Sequence, residues 1–113
     1  MGIRADGTGG TGAVSVSLSD SAATQNAMAG LTVVTAGGGA TAMDVIRSVS
    51  ANTGGEGLKV SGATATLRIG YSSVTGNATG VGIGAGATVT SMGNNLIEDN
   101  TSPGSSIPVV APL

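Results

Sequence analysis

The sequence predicts an all-β fold, a short parallel β-helix of about four coils over residues 13–109. Three observations carry that expectation. The chain repeats with a spacing of 23–26 residues, each repeat holds short runs in which apolar residues alternate with small polar ones, and the composition suits a narrow core. Among 113 residues there are 21 Gly, one Tyr and no Phe or Trp. Val, Leu and Ile make up about a fifth of the chain and the net charge is only −2, which argues against a disordered chain despite the Gly and Ser content.

The repeat is read from four asparagines, Asn26, Asn52, Asn77 and Asn100, spaced 26, 25 and 23 residues apart. The segments before them align as SAATQN (21–26), RSVSAN (47–52), SSVTGN (72–77) and NLIEDN (95–100). The position three before each Asn is Ala23, Val49, Val74 and Ile97, small or β-branched each time. After each Asn comes a polar loop and then an apolar pair two residues apart: Leu31/Val33, Leu58/Val60, Ile83/Ala85 and Ile107/Val109. A Gly-Ala-Thr turn follows in GGATAM (38–43), GATATL (62–67) and GATVTSM (86–92). A third alternating run then begins, as in Val14/Val16/Leu18 and Leu67/Ile69/Tyr71. Period-two alternation with β-branched enrichment indicates strands, and the glycines interrupt every window in which a helix could form.

Three strands per repeat cannot bury their inward side chains alone, but stacked coils can, with parallel ladders satisfying the backbone. Two inward columns are expected: Val49, Val74 and Ile97 in one, and Leu31, Leu58, Ile83 and Ile107 in the other. Asn26, Asn52, Asn77 and Asn100 are expected at one corner of successive coils as a structural ladder of stacked amides, because Asn both tolerates left-handed backbone and bonds to its equivalents above and below. Residues 1–12 read as a flexible Gly/Thr-rich lead, and residues 110–113 as a C-terminal tail.

SSVTGNATGVGI (72–83) and TSMGNNLIEDNT (90–101) resemble coils of right-handed parallel β-helix repeat proteins, in the broad pectate-lyase-like superfamily. The resemblance covers roughly residues 13–109 and is best over 63–101. It implies a right-handed coil, in keeping with the general handedness of parallel crossovers. It also implies an extracellular or cell-surface location. It is specific for architecture and poor for activity, because the superfamily holds enzymes, adhesins and tailspikes.

Several function classes are excluded or disfavoured by composition. No Cys and no His remove disulfides, thiolate metal sites, the usual general base and the commonest zinc ligand. Four Lys and Arg with one aromatic are too few for a nucleic-acid groove. Apolar runs of a few residues do not insert into a membrane. MGIRADGTGGTGAV has no apolar signal-peptide core, so no signal peptide is expected in this chain. No cofactor or metal is expected.

Candidate sites are weaker. Gly7–Gly12 satisfies G-x-G-x-x-G, but a strand-forming AVSVSLS follows where a dinucleotide site needs a helix. The carboxylates Asp20, Asp44, Glu98 and Asp99 fall at different offsets from the asparagines, as do Arg47 and Arg68, so all read as surface charge. Asp20 and Asp99 are the pair that corner positions could bring together. Thr64-Ala-Thr66 and Thr88-Val-Thr90 are one residue out of register, which speaks against a flat threonine array. Asn77-Ala-Thr and Asn100-Thr-Ser match the N-glycosylation pattern at expected ladder positions. Gly82 and Gly84 leave a bare outer strand face, suited either to solvent or to close approach of another chain.

The expectation is a non-enzymatic β-helix repeat module, a structural, adhesive or assembly element of a surface or secreted protein. The alternative is a glycan-binding or polysaccharide-cleaving fragment. The expected partner is a second copy of the chain, as a trimer or dimer through a flat face or by end-to-end stacking, with a glycan as a further possible ligand.

Overall fold

The structure, a computed structural model, describes residues 2–36 and 39–109. The described residues are all-β, with no helix, and each coil contributes one strand to each of three sheets. The first coil holds β1 (Ile3–Asp6), β2 (Val14–Ser19) and β3 (Ala22–Thr24). The second holds β4 (Leu31–Val34), β5 (Thr41–Ile46) and β6 (Val49–Ala51). The third holds β7 (Glu56–Ser61), β8 (Ala65–Gly70) and β9 (Ser73–Thr75), and the fourth β10 (Thr79–Gly84), β11 (Thr88–Ser91) and β12 (Leu96–Glu98). A final strand, β13 (Ser102–Gly104), opens a fifth turn. Sheet A runs β1-β4-β7-β10-β13, sheet B β2-β5-β8-β11 and sheet C β3-β6-β9-β12, and every pairing is parallel. The chain is thus a β-solenoid of about four turns.

The core is a set of vertical columns, one residue per coil. Sheet A supplies Ile3, Leu31, Leu58 and Val81, and beside them Ala5, Val33, Val60 and Ile83. Sheet B supplies Val16, Met43, Leu67 and Val89, and beside them Leu18, Val45 and Ile69. Leu31, Met43, Leu58, Leu67, Ile69 and Val74 are all at most 1% exposed, and each such side chain stabilises the fold by about 1.5–3 kcal/mol.

At two corners the chain turns through a left-handed position that recurs from coil to coil. Between sheets B and C these are Asp20, Arg47, Tyr71 and Asn94, with φ of 50, 48, 50 and 57°. Between sheets C and A they are Gln25, Asn52, Gly76 and Asp99, with φ of 58, 56, 67 and 59°. These two columns recur in every full coil, so the bend is built from backbone conformation and not from residue type. Left-handed backbone costs a non-glycine residue roughly 1–2 kcal/mol, which the ladders on either side must offset.

Four sequence expectations are corrected. The lead expected over residues 1–12 is corrected at Ile3–Asp6, which forms β1 and pairs in register with Leu31–Val34, while Met1 lies outside the described residues. Val49 does not join the inward column: it pairs with Ser73 and is 37% exposed, and the column is Ala23, Ser50, Val74 and Ile97. Val81 and not Ile83 continues Leu31 and Leu58, while Ile83 continues Val60, and Ala85 sits in the following turn at φ 51°. Ile107 and Val109 are not the next pair of sheet A, because β13 takes that place. Ile107 instead packs half-buried on the core, and Val109 bridges Ser91 in sheet B. The expected tail, residues 110–113, and Gly38 of the GGATAM turn lie outside the described residues.

Candidate functional site

Two corner columns carry most of the buried polar contacts. At the turn from sheet C to sheet A stand Asn26, Thr53, Asn77 and Asn100. Asn77 is 1% exposed and fully engaged. Its Oδ1 accepts from the Thr53 amide at 3.0 Å and the Thr53 hydroxyl at 2.9 Å. Its Nδ2 donates to the Ser50 carbonyl at 3.1 Å and to Asn100 Oδ1 at 3.0 Å. Asn100 repeats the pattern one coil on: Oδ1 accepts from the Asn77 amide at 2.9 Å and Nδ2 donates to the Val74 carbonyl at 3.1 Å.

Of the four asparagines expected as a ladder, Asn77 and Asn100 bond to one another, and Asn52 is not in the column. Asn52 is exposed and occupies the left-handed position beside the column, and Thr53 takes the inner place. Asn is common at both kinds of position, for amide bonding at one and for left-handed backbone at the other, so residue type alone does not separate them.

Sequence reasoning missed a second polar column at the B–C corner. There Ser21, Ser48, Ser72 and Asn95 succeed one another. The Ser48 hydroxyl accepts from the Ser21 amide at 3.2 Å, the Ser72 hydroxyl from the Ser48 amide at 3.1 Å, and Asn95 Oδ1 from the Ser72 amide at 2.9 Å. Each serine hydroxyl donates to the carbonyl two residues before it. The signal was the serine five places before the Asn column in three coils, hidden where the register slipped.

Close approach is allowed by glycine at the entry to sheet A. Gly30, Gly57 and Gly80 precede Leu31, Leu58 and Val81 and are buried. A Cβ on Gly57 would collide with Val74 Cγ1 and Asn77 Nδ2, and one on Gly80 would lie 2.9 Å from Asn100 Nδ2. The absent side chains make room for the asparagine column.

The charged residues pair between coils more than the sequence implied. Arg47 Nε donates to Asp20 Oδ1 at 2.9 Å and Nη2 to Asp20 Oδ2 at 3.1 Å. Arg68 makes the same two-pronged contact with Asp44, at 2.9 and 3.3 Å. The Arg47 hydrogen bond holds the Asp20 carboxyl below its ordinary value of 3.8, and the carboxylates raise Arg47 and Arg68. Asp6 is lowered chiefly by the Thr8 hydroxyl and amide, with Arg4 adding to the effect. Asp20 and Asp99 are not brought together, since they stand at different corners in the first and fourth coils. Thr66 does pair with Thr88, but Thr90 lies beside Arg68, so the two Thr-x-Thr units do not stack. Gly7–Gly12 connects two strands, β1 and β2.

The outer face of sheet A carries a groove. One hollow of about 240 Å³ is lined by Arg4, Met28, Thr32, Val34, Glu56 and Lys59, among others. A second of about 210 Å³ shares Glu56, Lys59 and Ser61 and continues over Gly82 and Gly84. Thr32 is 4% exposed at its floor, and its hydroxyl oxygen has no hydrogen-bond partner. The strand face at Gly82 is not bare. A Cβ there would lie 3.0 Å from Glu56 Cγ and 3.2 Å from its Oε2, so the Glu56 side chain lies across it. Gly84 is exposed. Among the described residues no group of three or more acidic side chains could hold a metal ion. Comparison with family models, with curated proteins and with solved structures found no match.

Proposed function

We propose that this chain is a non-enzymatic β-helix repeat module that acts as a structural, adhesive or assembly element of a surface or secreted protein. The observation that carries the reading is where the polar side chains go. Asn77, Asn100, Ser48, Ser72, Asp20, Arg47, Asp44 and Arg68 all bond to equivalent or neighbouring positions of the adjacent coil. These are side chains with the donors, acceptors and charges that acid–base or ligand chemistry would need, and here they join coils. A stack of coils joined by its own polar side chains, with paired surface charge, suits a spacer or an assembling unit. The resemblance of residues 72–83 and 90–101 to β-helix repeat proteins supports the extracellular setting, and the partner in this reading is a further copy of the chain.

One observation favours a second reading, glycan binding. The sheet A groove gathers Arg4, Glu56 and Lys59 around the buried Thr32 hydroxyl, which has no hydrogen-bond partner among the described residues, with Met28 and Val34 as apolar lining, so polar groups and apolar surface face the same hollow. Thermal shift against calcium and a panel of neutral and acidic oligosaccharides, with assay for new reducing or unsaturated ends, separates the two. The module reading expects no shift and no product. A saturable shift abolished by Lys59→Ala would replace it with the glycan reading.

A further inference from the structure

The first coil ends in a flush, open rim. β1, β2 and β3 are the terminal strands of sheets A, B and C, and among the described residues none of them pairs on its outer side. The other end differs, because β13 and the Ser91–Val109 bridge lie over sheets A and B while sheet C stops at β12. The loop after β1 ends beside the second coil. Its Thr11 and Gly12 carbonyls lie against Gly39, in the corresponding loop of the second coil. Ile3, Val16 and Leu18 are only partly buried there, and Val14 is 36% exposed.

The edge of β1 is complementary to itself. Ile3 and Gly7 donate their amides toward β4, to the Gly30 and Val34 carbonyls. By the alternation of a strand, the backbone groups of Arg4 and Asp6 face the open edge. A second β1 laid antiparallel and centred on Ala5 places Arg4 opposite Asp6 of the second copy and Asp6 opposite its Arg4. These are the hydrogen-bonded positions of an antiparallel pair, so backbone bonds and opposite charges coincide. Ala5 meets Ala5 at the narrow non-hydrogen-bonded position, and half-buried Ile3 falls opposite Gly7, which has no side chain. The Arg4 and Asp6 side chains lie on the outer face, about 40% exposed, where they already pair within the strand at 3.0 Å.

We propose that this rim is the docking surface for a second copy of the chain, joined rim to rim about a two-fold axis through Ala5, with β1 pairing antiparallel to β1. A two-fold contact is isologous and closes on itself, so the product is a dimer and not a filament. The interiors of the two first coils then cover one another. This proposal rests on the assembly reading above and specifies its interface.

The test uses the full 113-residue chain. Sedimentation equilibrium from 1 to 100 µM is expected to give twice the 10.6 kDa chain mass. Arg4→Asp, which puts acid against acid, is expected to weaken the dimer by at least about 100-fold, since like charges across an interface cost several kcal/mol. Arg4→Asp combined with Asp6→Arg restores it, because the swapped pair is again complementary. The chain has no Cys, so Ala5→Cys supplies a single thiol expected to cross-link on mild oxidation. Circular dichroism checks that each variant keeps its strands. An oligomer that ignores the charge reversal and does not cross-link overturns this interface and leaves the assembly reading standing. A folded monomer at 100 µM overturns both.

Discussion

Replacing Asn77 by Ala is expected to remove about 3 kcal/mol of stability. Its amide is buried and makes four side-chain bonds, two accepted from Thr53 and two donated to Ser50 and Asn100. Truncation strands the buried Thr53 amide and takes a donor from the Ser50 carbonyl. A stranded buried polar group costs about 1–3 kcal/mol, and the two share an environment, so a value near the sum of two small penalties is expected. A chain of this length unfolds with an entropy of roughly 0.24 kcal/mol/K, which converts the loss to a fall in Tm of about 12 °C. The comparison that gives the test its force is Asn52. It is exposed with φ 56°, so Asn52→Gly is expected to change Tm by no more than about 2 °C. Differential scanning calorimetry on both variants reads the result. Equal losses at the two positions, or a fall of under about 3 °C for Asn77→Ala, would refute the assignment of the inner column.

Three further outcomes follow from the geometry. Val74→Asp buries an unpaired charge at a fully enclosed position and is expected to abolish the cooperative unfolding transition, whereas Val49→Asp, on the exposed neighbour, keeps it. Gly57→Ala drives a methyl into Val74 and Asn77 and is expected to cost about 1–3 kcal/mol by denaturant titration, far more than Gly84→Ala on the open face. Asp20 titrates below 3.8 in the folded chain, so its contribution is present above the unfolded value and is lost as pH falls through the lower folded value. Carboxyl-carbon NMR is expected to show that midpoint rising toward 3.8 in Arg47→Ala, and an unchanged midpoint would contradict the pairing.

The architecture was legible because it depends on periodicity. Alternating runs such as Val14/Val16/Leu18 and Leu67/Ile69 are short enough for strands and recur often enough to demand stacking. Register was harder, because the corners absorb insertions without changing residue type. Taking Asn52 in place of Thr53 shifted the second coil by one residue. That one slip put Val49 in the core, placed Arg47 and Asp20 at different offsets although they share a column, and separated Asp44 from its partner Arg68. It also concealed the serine column. In the fourth coil the error had another source: the run Gly80–Gly86 alternates apolar residues with glycine throughout, so nothing in it marks where the strand begins. β1 was missed because Ile3 is the one large apolar residue in Ile3–Asp6, and its place in the sheet comes from the edge of β4 and not from its own pattern. The sheet A groove joins residues from four coils and has no linear signature.

The central claim is a stack of parallel coils in one stated register, and backbone NOE measurements on the isotopically labelled chain test it most directly. The account predicts interstrand contacts joining Ser50 to Val74, Val74 to Ile97 and Leu58 to Val81, with the spacing of parallel strands. Contacts joining Val49 to Val74 and Leu58 to Ile83, or close Hα–Hα contacts of antiparallel pairs within the chain, would contradict it.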